Sequence, residues 1–372
     1  MASLIATVAF GLEAVAKREI TELNFTDIKC LDGKVEFNAP NIYEGIVRSN
    51  LWLRSADRVL IKIAEFPAAT FDELFESTKS LPWEEWIPKE GKFTIKSKSV
   101  RSGLYSVPDI QSIVKKAVVE RLKKSYKIFW FEETGAEYTI QASILKDIVT
   151  LTIDTTGLGQ GLHKRGYRAR ATQAPLKETM AASLIHFAKY HNKKAFLDPC
   201  CGSGTLPIEA AMIAKNIAPG LSRKFASESW GQIPIALWKE ARASAYATIR
   251  TDIEPIIHAA DIDPAAVELA KANAELAGVD DCINFFTRHV AQTVLPADIG
   301  IAIVNPPYGE RLGQIKEAEY LYEELGKVFN HTKWNVYVLT PDEFFETAYK
   351  RKARAKRKLF NGMIKTDYYQ FF

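Results

Sequence analysis

Hydrophobic and polar positions alternate differently in three parts of the 372-residue chain, and each rhythm predicts its own set of elements. Over about 1–60, strand-like runs at Leu4–Phe10, Lys34–Phe37 and Val59–Phe66 are separated by helix-spaced stretches. One of these stretches begins after Gly11 and the other covers Pro40–Leu51. This βαββαβ-like order predicts a small ferredoxin-like α+β unit. Over 61–155, helical spacing at Thr70–Ser80 is followed by an aromatic-proline stretch, Leu81–Pro88, and a strand at Lys92–Ser97. A helix over Pro108–Lys124 opens on a proline whose missing N–H costs nothing in a first turn. Strict alternation at Tyr138–Leu145 and Asp147–Asp154 then predicts two strands. Gly157, Gly159, Gly161 and Gly166 punctuate 156–170 as a linker.

From 171 to 372 the rhythm is strand, helix, strand. Ala195–Leu197, Ile256–Ala260, Ile283–Thr287, Ile299–Val304 and Val336–Leu339 read as buried strands, with helices at Leu206–Asn216 and Pro264–Leu276. Such alternation predicts a parallel sheet with helical crossovers. Near the end, Lys356–Phe360 and Met363–Phe371 flank Asn361-Gly362, a pair suited to a tight hairpin because both central residues must tolerate positive φ. A parallel sheet that finishes in an antiparallel hairpin departs from a plain dinucleotide-binding fold.

Composition narrows this only slightly. Apolar residues at 47% and charged residues at 25% describe a soluble globular protein with sizeable cores. A net charge of +4 does not by itself imply a nucleic-acid partner. Cys30, Cys200, Cys201 and Cys282 lack the Cys-x-x-Cys spacing of a zinc site or redox pair and fit a reducing cytosol. No metal is implied. The apolar run Leu4–Leu12 has no preceding Lys or Arg and leads into an amphipathic helix, so it reads as a strand and not a secretion signal. No run approaches the ~18 apolar residues of a membrane span.

The chemistry concentrates at strand ends. Asp198-Pro199-Cys200-Cys201-Gly202-Ser203-Gly204-Thr205 reads as a strand end, a glycine turn and a helix start, with Thr205 placed to cap the helix. Glycines there let backbone approach a ligand. Asp198 could anchor the ammonium of S-adenosylmethionine, although an ordinary strand–helix turn would look similar. Asp261 ends the second strand, where an acid can bind ribose hydroxyls, while Asp263 before Pro264 reads as a helix cap. Asp261 lies nearly three times farther from Gly202 than the ~20 residues of a dinucleotide site, so an insertion is expected between them. Asn305-Pro306-Pro307-Tyr308 follows the strand Ile299–Val304. The Asn305 side-chain oxygen and the Pro306 carbonyl can each accept a hydrogen from an exocyclic amine, turning its lone pair toward a methyl donor. The prolines stiffen the turn, and Tyr308 offers a flat face to a base.

Taken together, Asn-Pro-Pro-Tyr after Asp-Pro-x-Cys-Gly-Ser-Gly-Thr resembles the amino methyltransferases. Gly309-Glu310-Arg311-Leu312, Arg165-Gly166-Tyr167-Arg168, Ala174–Thr179, Ala9–Glu13 and Lys96–Gln111 narrow the likeness to the THUMP-domain RNA N2-guanine methyltransferases, across essentially the whole chain. That resemblance implies a Rossmann-like α/β methyltransferase domain over 171–372, preceded by a ferredoxin-like region (1–60) and a THUMP domain (61–155). It implies S-adenosylmethionine as cofactor, with Ala174, Pro175 and Leu176 beside it. Pro199, Cys200, Gly202, Ser203, Gly204, Thr205, Asp261 with Ile262, and Asn305 complete the contacts. Where the family has an acid that accepts from the adenine amine, this chain has His289, which could accept one hydrogen bond, or the backbone of Val290 could serve.

Basic residues cluster twice. Seven cations fall within Lys350–Lys358, and Lys92, Lys96, Lys98, Arg101, Lys115, Lys116, Arg121, Lys123 and Lys124 form a second group. The first is either a solvated face or a set of phosphate contacts; the second falls in the segment resembling THUMP, a module that binds RNA largely by its shape. The stretch Pro219–Trp238, with Arg223, Lys224, Phe225 and Trp230, is either the expected insertion forming a wall of the base pocket or purely structural. The expected activity is methyl transfer to guanine N2 in structured RNA, with 23S ribosomal RNA favoured over transfer RNA and the target base unpaired or extruded. A DNA adenine-N6 methyltransferase and a non-catalytic RNA-binding or assembly protein remain open. The expectation is a cytoplasmic protein with an RNA partner, no membrane association and no obligate protein partner.

Overall fold

The computed structural model describes residues 3–168, 176–308 and 312–372, arranged on two seven-stranded sheets. The first carries β1 (Ser3–Thr7), β2 (Thr26–Leu31), β3 (Lys34–Asn38), β4 (Arg58–Pro67), β5 (Lys92–Val100), β6 (Glu137–Leu145) and β7 (Ile148–Asp154) in the order β2-β3-β1-β4-β7-β6-β5. Helices α1 (Glu13–Glu22), α2 (Ile42–Trp52), α3 (Phe71–Ser80) and α4 (Val107–Tyr126) connect them. The expected ferredoxin-like order is present through β4, but β4 continues past residue 60 and pairs along its outer half with β7. The ferredoxin-like and THUMP segments therefore share one sheet.

Local chemistry explains the helix starts. Thr70 accepts from Glu73 N–H while Glu73 reaches back to the Thr70 backbone, a reciprocal cap. Asn41 caps α2 by accepting from Tyr43 and Glu44. On α4, Ile110, Val114, Val118 and Leu122 are buried at helical spacing. β2 escaped the sequence reading because it is an edge strand whose residues are almost all exposed, so it carries no alternating apolar face.

The second sheet has β8 (Ala195–Asp198), β9 (Ile257–Asp261), β10 (Ile283–Thr287), β11 (Gly300–Val304), β12 (Asn335–Thr340), β13 (Ala355–Asn361) and β14 (Ile364–Phe371), ordered β10-β9-β8-β11-β12-β14-β13. The first five run parallel; β14 is antiparallel to β12, and β13 to β14. This is the parallel sheet with a terminal hairpin that the sequence predicts, but the turn falls on Gly362 and Met363: Asn361 closes β13 opposite Ile364, and of the expected pair only Gly362 has positive φ. Helices α5 (Glu178–Phe187), α6 (Thr205–Ala214), α7 (Ile235–Ala247), α8 (Pro264–Ala277), α9 (Leu312–Phe329) and α10 (Phe345–Ala348) flank it. Asp263 caps α8 through Ala265 N–H, with Pro264 in its first turn, as expected.

The expected insertion lies between α6 and β9 and contains α7. Its aromatic residues Phe225, Trp230 and Trp238 are buried. Trp230 stacks on Tyr138 of β6 at 4.6 Å and donates to Glu137 O, and Phe225 stacks on Trp238 at 5.5 Å. Arg223 donates to Gly161 O and Lys164 O. The insertion thus ties the C-terminal half to the first sheet.

Residues 156–168 are packed as well. Arg165 is buried and donates to Glu209 Oε1 of α6 (3.2 Å), Leu162 O (2.7 Å) and Arg54 O (2.6 Å), while Tyr167 Oη donates to the same carboxylate at 3.2 Å. Arg54 donates to Ile217 O, and Glu19 of α1 meets His186 of α5 at 3.4 Å. Arg165-Gly166-Tyr167-Arg168 is therefore an interdomain rivet. Among the described residues, no helix is long and apolar enough to cross a membrane.

Candidate active site

The carboxyl ends of β10, β9, β8 and β11 lie side by side, and almost every described site residue follows one of them. Register fixes the arrangement: Leu197 of β8 pairs with Ala302 of β11, Asp198 with Ala259 of β9, and Thr287 of β10 with Asp261. Asp198, Asp261, His289 and Asn305 thus share one edge, where ligands of open α/β sheets bind. Ala174 and Pro175, and the Gly309-Glu310-Arg311 run, lie outside the described residues. Leu176, the buried neighbour of the former pair, gives its carbonyl to Arg168 Nη2 at 3.1 Å.

The turn after β8 is held from three sides. Cys200 N–H donates to Asp198 Oδ1 (3.1 Å), Gly202 N–H to Asp261 Oδ2 (2.8 Å), and Asn273 Nδ2 to Ser203 O (2.9 Å). A Cβ on Gly202 would meet no described atom within 4 Å, so open space faces the backbone there. Gly204 differs. Its φ is +82°, and a Cβ would lie 2.9 Å from Ala270 Cβ, so both conformation and close packing against α8 demand glycine. Gly204 rather than Thr205 occupies the N-cap position, without a side-chain cap. The expected capping role of Thr205 is overturned: it is the first helical residue, and its Oγ1 accepts from Arg168 Nη2 at 3.1 Å.

Asp198 is fully buried, and burial, helped by the nearby Asp261 charge, pushes its carboxyl well above the usual range. A carboxylate in that setting favours a cationic guest, because ion pairing would offset its desolvation. Pro199 is buried, and burial likewise pushes the Cys200 and Cys201 thiols up, so neither is an activated nucleophile. Asp261 holds the turn after β8 with Oδ2 and its own loop after β9 with Oδ1, which accepts Asp263 N–H at 3.0 Å. Ile262 beside it is 66% exposed, an aliphatic surface at the ligand edge. After β10, Arg288 N–H donates to Asp261 O at 2.9 Å. The acceptor expected of His289 is already engaged, because its Nδ1 accepts from Ala291 N–H at 3.2 Å. A neutral ring so bound has only Nε2–H to offer, a donor. Val290 is buried beneath it.

Asn305 emerges from the fully buried β11, with Pro306 buried and Pro307 exposed. Tyr308 Oη donates to Asn305 Oδ1 at 2.8 Å and accepts from Asn361 Nδ2 at 3.1 Å. Burial raises the Tyr308 phenol to about 12, so it stays protonated and able to donate. Asn361, at the hairpin tip, is the site residue the sequence reading missed. The Asn-Gly pair was visible as a turn, but nothing local revealed that β13 and β14 carry it to the end of β11.

The basic run is largely committed within the chain. Lys350 pairs with Glu323 and Lys356 with Glu346, while Arg351, Arg354 and Arg357 lie over Phe371, Phe372 and Phe187. In the second basic group, Lys92 pairs with Glu137, Arg121 with Glu84 and Lys115 with Glu133. Lys96 and Lys98 project from the exposed face of edge strand β5.

A sheet of this order with an open glycine turn, a buried acid beside it and Asn-Pro-Pro-Tyr on the neighbouring strand defines a methyltransferase site. Residues 165–370 match the RMKL-like methyltransferase domain, residues 68–154 the THUMP domain and residues 3–60 the RlmL ferredoxin-like domain. The chain belongs to the RMKL-like methyltransferase family, whose cofactor is S-adenosylmethionine. It is 49% identical to Bacillus subtilis YpsC, named as a candidate RNA methyltransferase, over 100% of this chain and 96% of that one. It is 32% identical to the ribosomal RNA large subunit methyltransferase K/L of Psychromonas ingrahamii, covering 98% of this chain but only 49% of that longer protein. Among solved structures, a Listeria monocytogenes protein titled a predicted N6-adenine-specific DNA methylase superposes with TM-score 0.95 at 48% identity, over 100% of this chain and 96% of the other. SMU.472, titled a methyltransferase complexed with SAH, gives 0.93 at 43% identity, over 100% and 97%.

Proposed function

We propose that this chain transfers a methyl group from S-adenosylmethionine to the exocyclic N2 of a guanine in structured RNA, with 23S ribosomal RNA favoured over transfer RNA, in the cytoplasm. The observation that carries the reading is Asn305 at the carboxyl end of β11, two strand ends from Asp261 and one from Asp198. Asp198 would hold the donor's ammonium, Asp261 its ribose, and the Gly202–Gly204 backbone would lie along it. Ile262 and the His289–Val290 pair would flank its adenine, with His289 donating. The bound donor supplies an electrophilic methyl on a sulfonium.

The protein's own contribution is positioning. Tyr308 uses one lone pair of Asn305 Oδ1, and a carbonyl oxygen has a second for one amine hydrogen. The Pro306 carbonyl would take the other, leaving the nitrogen lone pair aimed away from both. No strong base is needed, because the methylated amine is cationic and readily loses its proton to water. The ferredoxin-like and THUMP segments on one sheet, and the names of YpsC and of the K/L relatives, support RNA over DNA as the acceptor.

The deciding experiment offers labelled S-adenosylmethionine with RNA from cells lacking this gene, in ribosomal and transfer fractions, and with DNA, followed by nucleoside analysis. N2-methylguanosine in the ribosomal fraction is expected, and Asn305→Ala should abolish it even at saturating S-adenosylmethionine. Methyladenine in DNA would instead favour the DNA enzyme, and absence of cofactor binding the non-catalytic protein.

A further inference from the structure

The N-terminal turn Ala9–Glu13 touches the catalytic hairpin, and the contact continues to Asn305. Glu13 fixes this turn with both carboxylate oxygens, accepting Gly11 N–H and Gly33 N–H, each at 2.9 Å. Gly11 then approaches β13 closely. Its φ is +93°, and a Cβ there would lie 3.1 Å from Leu359 Cδ2 and 3.2 Å from Lys358 O. Phe10 sets its ring edge-on to Phe360, with centroids 6.0 Å apart. The next residue, Asn361, donates to Tyr308 Oη, which donates to Asn305 Oδ1.

We propose that Asn361 is a positioning residue for methyl transfer, and that the Phe10–Gly11 turn braces it. The polarity of the chain is what matters. Asn361 Nδ2 fills the acceptor side of the Tyr308 hydroxyl, which leaves the hydroxyl hydrogen for Asn305. That hydrogen keeps Asn305 Oδ1, rather than its NH2 group, turned toward the site. An Asn305 amide rotated by half a turn would present a donor to a donor amine and could not orient it. The N-terminal region would thereby set the state of the catalytic amide through one ring contact and two hydrogen bonds, without touching the base itself. This rests on the reading of Asn305 as the amine's acceptor.

The test is a double-mutant cycle on the full-length protein, measuring kcat and KM with RNA from cells lacking the gene and Kd for S-adenosylmethionine. Asn361→Asp is nearly isosteric but only accepts, so its carboxylate would capture the Tyr308 hydroxyl hydrogen and release Asn305. Each of Asn361→Asp, Asn361→Ala and Tyr308→Phe should lower kcat about tenfold, the scale of one well-placed hydrogen bond, with KM for RNA and cofactor Kd unchanged. In the Tyr308→Phe background both Asn361 variants should cost nothing further. Phe10→Ala should also lower kcat and not raise KM, Phe10→Tyr should restore it, and the Phe10→Ala effect should vanish in Tyr308→Phe. Additive losses, or a change in KM alone, would overturn the proposal. Full activity in Asn305→Ala would instead remove the functional reading and this proposal with it.

Discussion

Replacing Asp198 with Asn should raise the stability of the free protein and weaken its hold on S-adenosylmethionine. The two opposite signs come from one carboxylate. Asp198 is buried beside Asp261, and burial with that like charge raises its carboxyl well above the ordinary range. A group whose folded-state pKa lies above its unfolded value binds protons more tightly when folded. It therefore costs stability at pH values above the raised pKa, and the cost is relieved as pH falls through it. Asparagine keeps an oxygen for Cys200 N–H, now at 3.1 Å, and removes the charge. Removing an uncompensated buried charge should stabilise by about 1–2 kcal/mol, or roughly 1–4 °C in Tm. For the cofactor, an ion pair near 4 Å at an effective dielectric of about 20 is worth about 4 kcal/mol. Allowing for solvent competition, a loss of about 2–4 kcal/mol, or roughly 30- to 1,000-fold in Kd, is expected. Scanning calorimetry without ligand and titration calorimetry with S-adenosylmethionine across pH provide the two readouts. Wild-type affinity should also fall as pH drops through the raised Asp198 pKa, and the Asn variant should lose that dependence. A variant that melts lower than wild type, or binds the cofactor equally well, would refute the assignment.

Gly204→Ala places a Cβ at φ +82° and 2.9 Å from Ala270 Cβ, so it should destabilise by about 1–3 kcal/mol in urea unfolding. Arg165→Ala leaves Glu209 buried without its guanidinium partner and breaks the donation to Arg54 O. A loss of about 3–5 kcal/mol is expected, with limited proteolysis then separating the N-terminal and catalytic parts. Trp230→Ala removes the 4.6 Å stack on Tyr138 and its bond to Glu137 O, and should cost about 3–5 kcal/mol. Because Trp230 serves the junction between sheets and not the ligand edge, cofactor Kd in the folded variant should be unchanged.

What the sequence made legible were features written within a few residues of one another. The parallel strands of the second sheet are short buried runs, Asp263-Pro264 is a local cap, and Asn305–Tyr308 is contiguous. Features that depend on where distant segments meet were not readable. Edge strand β2 has no apolar face to announce it, and Thr205 looks like a cap until packing on Ala270 fixes Gly204 in that place. The engagement of His289 Nδ1 by Ala291 is the exception, a contact only two residues away that depends on the backbone closing a short turn there. The seven cations near the end left a solvated face and a phosphate surface equally open, and five of them meet aromatic rings or carboxylates of the chain.

Several contacts between distant segments bear on how the two halves work together. Arg165, Tyr167, Trp230 and Phe10 each pack onto a segment far along the chain. A hinge between capture and catalysis would need the boundary between the halves to be thin and wet. Here it contains the buried Arg165, paired with Glu209 and donating to Arg54 O, and a tryptophan stacked on Tyr138 of the first sheet. A rigid junction of this kind fixes the distance from the exposed lysines of β5 to Asn305. Selection of one base in a folded RNA would then follow from that fixed span, with Tyr308 and Asn305 required only to recognise an amine on a planar ring once it arrives.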